Sequence, residues 1–481
     1  MRHVPLISIA VLTLAAAKPG SLRADPVDDA VAAQMSKRHI PGVSIAVIQG
    51  GAIVKAKGYG VTDVASRDLV TPDTLFQAGS VSKPVTAMGA LALVDAGKLS
   101  LDSDINSVLK SWHVPENEFT KEKKVTLRRL LSHSAGTTVH GFPGYAVGEP
   151  TPTLLQVLNG DPPANTPAIS VDVVPGSIWR YSGGGYVVVQ QSVIDVSGEP
   201  FPAYMRSHVL EPLGMTSSTY EQPLPADRRP AAASGYFPGM QPVPGKWHIY
   251  PEMAPAGLWT TPSDLARFAI AVQRALAGRA TPVITQATAL EMLSPQKTDN
   301  FGLGLALSGT GGNRRFGHDG RDEGFDTTLV AYRDSGQGAV VMINANDNSH
   351  AVARIVEAIA DAYGWPDFPH SRPPQPIEDR EPGVTAQVRQ IFEMAQSGQL
   401  DRELYTEKLA DIIAPQLAPE GGARTSLVSY GALKSVALVG KKAEAGRRHY
   451  DYRFTYEHEI VHVHVDYNEA GKISGLFFEI E

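Results

Sequence analysis

Two hairpin signals, one near each end of the first 365 residues, limit this chain's architecture more than any other feature. In "PGVSIAVIQGGAIVKAKGYG" two β-branched runs flank Gly50-Gly51, and further on "TTLVAYRD" and "GAVVMINAN" flank Ser335-Gly336. Short runs of this kind joined by a glycine-bearing pair read as antiparallel hairpins. Between them, helical pieces such as "VTAMGALALVDAGKL" alternate with long Gly/Pro loops. A short helix ending near Arg38 precedes the first hairpin, and the amphipathic "AVARIVEAIADAY" follows the second. The expected fold class is α+β: one antiparallel sheet built from both ends of the unit, flanked by helices, with a helical region inserted in the middle.

At 481 residues the chain is long for one domain. "WPDFPHSRPPQPIEDREPG" carries six prolines from Pro366 to Pro382, a density that keeps a connector extended and marks the boundary. The first and larger unit is therefore expected over residues 25–365, the linker over 366–383 and a small α+β unit over 384–481. In that last unit two helical patterns, Val384 to Ser397 and Glu403 to Ala414, precede about four strands.

The N-terminus has a basic start, an apolar run from Val4 to Ala17 and the ending Leu22-Arg23-Ala24, the pattern of a cleaved export signal over residues 1–24. Losing Arg2, Lys18 and Arg23 takes the formal charge from -7 to -10, which argues against nucleic acid as a partner. No later stretch approaches the roughly 20 apolar residues of a membrane span, so no membrane insertion is expected. With no cysteine, disulfides, thiolate catalysis and a lipidated N-terminal cysteine are ruled out. The expectation is a periplasmic or secreted bacterial protein.

The tail contains "HEIVH", His458 to His462, which matches a zinc-peptidase pattern letter for letter. That pattern needs a helix, where residues four apart share a face. Here Tyr450, Tyr452, Phe454 and Tyr456 alternate with polar residues, as do Val461, Val463 and Val465 with His462, His464 and Asp466, which is strand periodicity. Residues four apart on a strand lie about 13 Å apart, too far to chelate one ion. No metal and no organic cofactor is expected.

"AGSVSKPVTA", residues 78 to 87, holds the chemistry. A Ser-x-x-Lys tetrapeptide occurs about twice by chance in such a chain, and Ser107 to Lys110 and Ser294 to Lys297 are read as surface cases. Ser80 differs: it follows Gly79 and opens a long apolar helical run, and Pro84 fixes the helix start because proline is tolerated only in a first turn. Ser80 and Lys83 then share a face with Cβ atoms about 5 to 6 Å apart, at a helix end suited to an oxyanion. Ser82 points elsewhere. As an N-cap, Ser80 would explain the serine and the proline but not a lysine aimed at an apolar face.

"FQAGSVSKPVTA" resembles the nucleophile motif of the serine β-lactamase and penicillin-recognising superfamily, in the branch of class C β-lactamases, DD-peptidases, D-aminopeptidases and β-lactamase-like esterases. The likeness runs in order through "LRRLLSHSAG", "EPLGMTSSTY", "PAGLWTTPSDLARFA" and "FGLGL", roughly Asp25 to Tyr363. The resemblance implies a second motif at Tyr181, with Gly183 where asparagine is usual, and a third at His318-Asp319-Gly320, preferred over Lys297 to Asp299. His133 in "LLSHSAG" is read as structural.

What the resemblance implies is acyl transfer: Ser80 as nucleophile, Lys83 as base, Tyr181 as proton relay, and backbone N–H groups of Ser80 and Arg321 around the oxyanion. His318 is expected to orient Tyr181 or to bind a substrate carboxylate or carbonyl, with Gly183 and Gly320 at the substrate. The expected function is a serine hydrolase acting through an acyl-enzyme on an ester or a D-amino-acid-containing peptide amide. The alternatives are a β-lactamase and, in another class, a non-catalytic receptor for penicillin or cell-wall fragments. The tail is expected to cover the active-site mouth or to mediate self-association.

Overall fold

The computed structural model describes residues 25–347, 350–370, 374–419, 422–444 and 446–480. The export signal expected over residues 1–24 lies outside them. The chain enters on α1 (Pro26–Arg38), with Asp25 as its N-cap accepting from the Val27 N–H at 2.9 Å. The hairpin β1 (Gly42–Gln49) and β2 (Ala52–Gly60) follows. The helical middle contains α2 (Ser82–Asp95), α3 (Gly183–Ser197) and α4 (Pro262–Leu276). The chain returns through β3 (Ala306–Ser308), β4 (Arg315–Asp322), β5 (Phe325–Tyr332) and β6 (Gly338–Ile343), then α5 (His350–Ala362).

These six strands form one sheet in the order β2-β1-β6-β5-β4-β3, antiparallel throughout. The N-terminal hairpin docks on the last strand, β1 against β6, so both ends of the unit meet in the sheet. The strand period of two explains the layers. Ala46, Ile48, Val340 and Met342 face the core shared with α2, α3 and α4. Val43, Ile45, Val47, Val341 and Ile343 face a second core under α1 and α5. With both faces covered, β1 reads as a near-continuous apolar run. The outer edge is β2, where Lys55 reaches Asp25 and Asp28, a charged edge that discourages further pairing.

A third core assembles from residues of the tail alone, Val388 to Ile473. Its elements are α6 (Pro382–Ser397), α7 (Glu407–Gln416), α8 (Gly422–Ser429) and a sheet in the order β7 (Leu433–Glu444), β8 (Arg447–Tyr456), β9 (Ile460–Tyr467), β10 (Ile473–Ile480). Two helix starts and one whole helix differ from expectation. α6 begins two residues early because Pro382 takes a first-turn position, where its missing N–H is no loss. The second helix starts only at Glu407, since Asp401 caps a separate 3₁₀ turn at Arg402–Leu404. α8 was not foreseen, as "GARTSLVS" is too short and too polar for a clear helical period. β9 bears out the strand reading of "HEIVH": Val461, Val463 and Val465 are buried while His462 and His464 are half-buried, and His458 sits in the preceding turn.

Candidate active site

Ser80 lies in one turn of 3₁₀ helix, Gly79–Val81, that runs directly into α2. Pro84 is the third residue of α2, the position at which its missing donor is harmless. The same turn places Lys83 beneath Ser80. Lys83 Nζ donates to Ser80 Oγ at 2.9 Å and to the Pro255 carbonyl oxygen at 3.0 Å. Its side chain is only 2 % exposed, so the amine enters the core instead of water. Ser82 Oγ turns away, donating to Gly79 O at 2.6 Å and accepting from the Leu258 N–H at 3.0 Å.

β4 crosses directly over this turn, and two glycines allow it. A Cβ on Gly320 would lie 1.9 Å from Ala78 O and 3.0 Å from Ser80 N. One on Gly79, whose φ is +52°, would lie 2.4 Å from Arg321 N. Only residues without a side chain permit two backbones to approach so closely. The contact brings the backbone nitrogens of Ser80 and Arg321 to one end of the same cleft. The Arg321 guanidinium points elsewhere, with Nε 2.7 Å from Oδ1 and Nη2 3.1 Å from Oδ2 of the buried Asp326.

Tyr181 precedes α3, whose N-cap is Ser182. Its hydroxyl lies near enough to Ser80 to feel it, and its ring centroid lies 4.9 Å from Lys83 Nζ. Burial raises the phenol well above its ordinary value, against the lowering effect of the Ser80 contact. His133, buried, packs its ring 4.2 Å from that of Tyr181, and its Nδ1 accepts from the Ser182 N–H at 3.2 Å. The residue read as structural thus holds the tyrosine in place from two directions. His318 comes from β4, its ring 6.1 Å from that of Tyr181.

Burial dominates the electrostatics. It lowers the Lys83 amine to about 7, opposed by the neighbouring Asp322 carboxyl. Asp322, fully buried two residues beyond Gly320, is pushed well up by burial, opposed by Lys83 and by the Gly79 N–H that donates to its Oδ2 at 3.2 Å. Both shifts favour an uncharged pair. Asp322 was missing from the sequence reading. Its sign was available in strand alternation, since His318, Gly320 and Asp322 share one face of β4. The Pro255 carbonyl could not have been read, because a backbone acceptor leaves no trace in residue type.

Gly183 begins α3, and its N–H donates to His140 O at 2.9 Å. A Cβ there would meet the Phe142 ring at 3.0 Å and His140 O at 3.1 Å. The loop carrying His140 and Phe142 fills the space that a longer side chain would need. Around Ser80 the cleft opens into two connected cavities. One, of about 950 Å³, is bounded by Trp179, Tyr181, Phe301 and His318; the other, of about 390 Å³, by Phe142, Tyr250 and Asp322.

The rival motifs stay apart. Ser107 is exposed and donates to Asp104 O at 2.6 Å, while Lys110 Nζ donates to Asp195 O. Ser294 donates to Leu290 O at 2.7 Å, and Lys297 is exposed. Lys297 to Asp299 occupies a loop and not a strand beside Ser80. Among the described residues no group of three or more His, Asp or Glu side chains could hold a metal ion.

This geometry can be set beside known proteins. The sequence profile of the beta-lactamase family matches residues 27–363. The chain belongs to the beta-lactamase family. Members of this family are generally serine hydrolases, and the match spans the sheet, the helical insertion and Ser80. Penicillin-binding protein 4 of Amycolatopsis lactamdurans is 29 % identical over 327 residues, covering 64 % of this chain and 82 % of that one. The octameric penicillin-binding protein homologue from Pyrococcus abyssi superposes with a TM-score of 0.59 at 19 % identity, over 96 % of this chain and 99 % of that one. A D-amino acid amidase from Ochrobactrum anthropi SV3, complexed with D-phenylalanine, superposes with a TM-score of 0.56 at 22 % identity, over 70 % and 99 %. The two structures share the antiparallel sheet with its helices, and the first extends through the tail as well.

Proposed function

We propose that this member of the beta-lactamase family hydrolyses an ester or a D-amino-acid-containing peptide amide through an acyl-enzyme on Ser80. The observation that carries the reading is the 2.9 Å contact between Ser80 Oγ and the buried amine of Lys83. An amine that loses its proton near pH 7 is available as free base at neutrality. It takes the hydroxyl proton as Oγ bonds to the substrate carbonyl carbon, and the carbonyl π pair moves onto oxygen. The N–H groups of Ser80 and Arg321 hold that oxyanion, a contribution of roughly 3 to 4 kcal/mol per donor. Collapse re-forms the carbonyl and expels the alkoxide or amine, which receives its proton from Lys83 through Tyr181. Water then repeats the sequence on the acyl-enzyme and frees Ser80.

The likeness in fold to a D-amino acid amidase supports the D-amide side of this reading. β-Lactam hydrolysis is the second reading, favoured by the relative that is a penicillin-binding protein. Gly183 offers no side-chain amide to hold such a substrate, which ranks it lower. The export signal read over residues 1–24 supports action outside the cytoplasm, and the octameric Pyrococcus homologue supports self-association.

Intact mass after incubation with a fluorophosphonate and with a penicillin, followed by peptide mapping, tests the reading. One adduct on Ser80 is expected from the fluorophosphonate, with a p-nitrophenyl ester turned over faster than a penicillin chromogen. Substrate turnover with Ser80 unlabelled would overturn it, and a single equivalent of ester consumed would mark a receptor instead of an enzyme.

A further inference from the structure

His318 has one ring nitrogen committed and one without a partner. Its Nδ1 lies 2.6 Å from the Asp319 backbone oxygen. A carbonyl oxygen can only accept, so Nδ1 carries the proton and Nε2 is left with a lone pair. The side chain is 9 % exposed and lines the larger cavity, yet Nε2 has no hydrogen-bond partner among the described residues. Burial lowers the ring to about 3, which favours the neutral imidazole near pH 7. A buried acceptor without a donor is costly, which makes it a place where a ligand would supply one.

The charges around it point the same way. Among the described residues that line the two cavities, the basic side chains besides His140 and His318 are Lys83 and Arg321. Lys83 is engaged by Ser80 and Pro255, and Arg321 is held by both oxygens of Asp326. Acidic side chains stand beside them: Asp319 lines the cavity around the free edge of β4, its Oδ1 accepting from Thr328 Oγ1 at 2.6 Å, Glu357 lines the same cavity and Glu323 the smaller one, while Asp322 is held uncharged by burial. A carboxylate entering this cleft would give up its water and meet a lone pair where it needs a donor.

Resting on the hydrolase reading above, we infer that the cleft selects against a carboxylate beside the scissile bond and takes substrates presenting a donor to His318 Nε2: an amide N–H, a hydroxyl or an ammonium. This separates the candidate substrates. Penicillins and peptides cleaved at a free C-terminal residue both carry a carboxylate next to the reacting carbonyl, whereas esters of neutral or amino alcohols and D-amino-acid amides do not.

The test is a matched series of N-acetyl-D-alanyl esters of glycolic acid, glycolamide and ethanolamine, similar in size and differing in charge. Wild-type kcat/KM for the glycolamide and ethanolamine esters is expected to exceed that for the glycolate ester by about tenfold or more, mainly through KM. Asp319→Asn should narrow the ratio, and His318→Lys should reverse it, a change of preference that general loss of structure would not produce. A wild-type enzyme that prefers the glycolate ester, or treats the three alike, overturns the inference and leaves the hydrolase reading standing as long as the fluorophosphonate labels Ser80. If no ester is cleaved and Ser80 stays unlabelled, both fall together.

Discussion

Lys83 Nζ stands 2.9 Å from Ser80 Oγ and 3.0 Å from Pro255 O, in a site with almost no access to water. The amine is held by one acceptor that cannot move and one that reacts. Replacing it with methionine keeps the apolar stem and removes the base. Lys83→Met is expected to slow acylation by about 10² to 10⁴-fold, read as the rate of fluorophosphonate or ester adduct growth by mass spectrometry. Ser107→Ala should leave that rate unchanged, because Ser107 only closes an exposed turn.

The acid limb of the rate profile should fall near pH 7. Burial holds Lys83 below its ordinary value, so the free base prevails above about 7 and the ammonium below it. Activity is lost as the pH drops through that value, by about tenfold per unit. Glu252, fully buried nearby, is raised to about 7 and titrates in the same range. Glu252→Gln separates the two: if Lys83 is the base, kcat/KM against pH keeps its acid limb in that variant.

Gly320→Ala tests the backbone contact that builds the oxyanion site. The new methyl would sit 1.9 Å from Ala78 O, a rigid backbone atom, so β4 must move off the Ser80 turn. A loss of about 10² to 10³-fold in kcat is expected, measured on a p-nitrophenyl ester, with the circular dichroism of a folded protein.

Restoring the usual side chain at the second motif should not help. Gly183→Asn places atoms against Phe142 and His140 O, which stand 3.0 and 3.1 Å from the first of them. Overpacking of this kind costs about 1 to 3 kcal/mol, and the thermal midpoint should drop without a gain in penicillin turnover. A penicillin chromogen and a melting curve on the same sample decide it.

The tail has its own core, with Phe454 buried at its centre and its ring 4.9 Å from that of Phe392. Phe454→Ala should destabilise that core by about 3 to 5 kcal/mol while Ser80 labelling proceeds at the wild-type rate. Calorimetry should then show an early transition separate from the main one.

Much of this was legible in the chain itself, because it depends on neighbours in sequence. The two hairpins, the helix start at Pro84, the Ser80 and Lys83 pair one turn apart and the strand under "HEIVH" all follow from local period and backbone restriction. Tyr181 and His318 were found through resemblance and order along the chain. The boundaries missed in the tail, and α8 with them, lie where short polar segments carry no period of their own and are set by packing on the sheet.

What the sequence determined alone was which groups could react and how the strands would alternate, since both are properties of a residue and its near neighbours. The tertiary structure decided which state those groups occupy. Only the folded chain brings Asp322 and Pro255 O to Lys83, buries the amine so that it loses its proton near neutrality, commits Arg321 to Asp326 and turns His318 into an acceptor. The Lys83 contact with Pro255 O spans 172 residues of sequence. Arg321–Asp326 and His318–Asp319 join near neighbours, but the desolvation that fixes the state of all these groups comes from the packing of the whole unit, of which one-dimensional order holds no record.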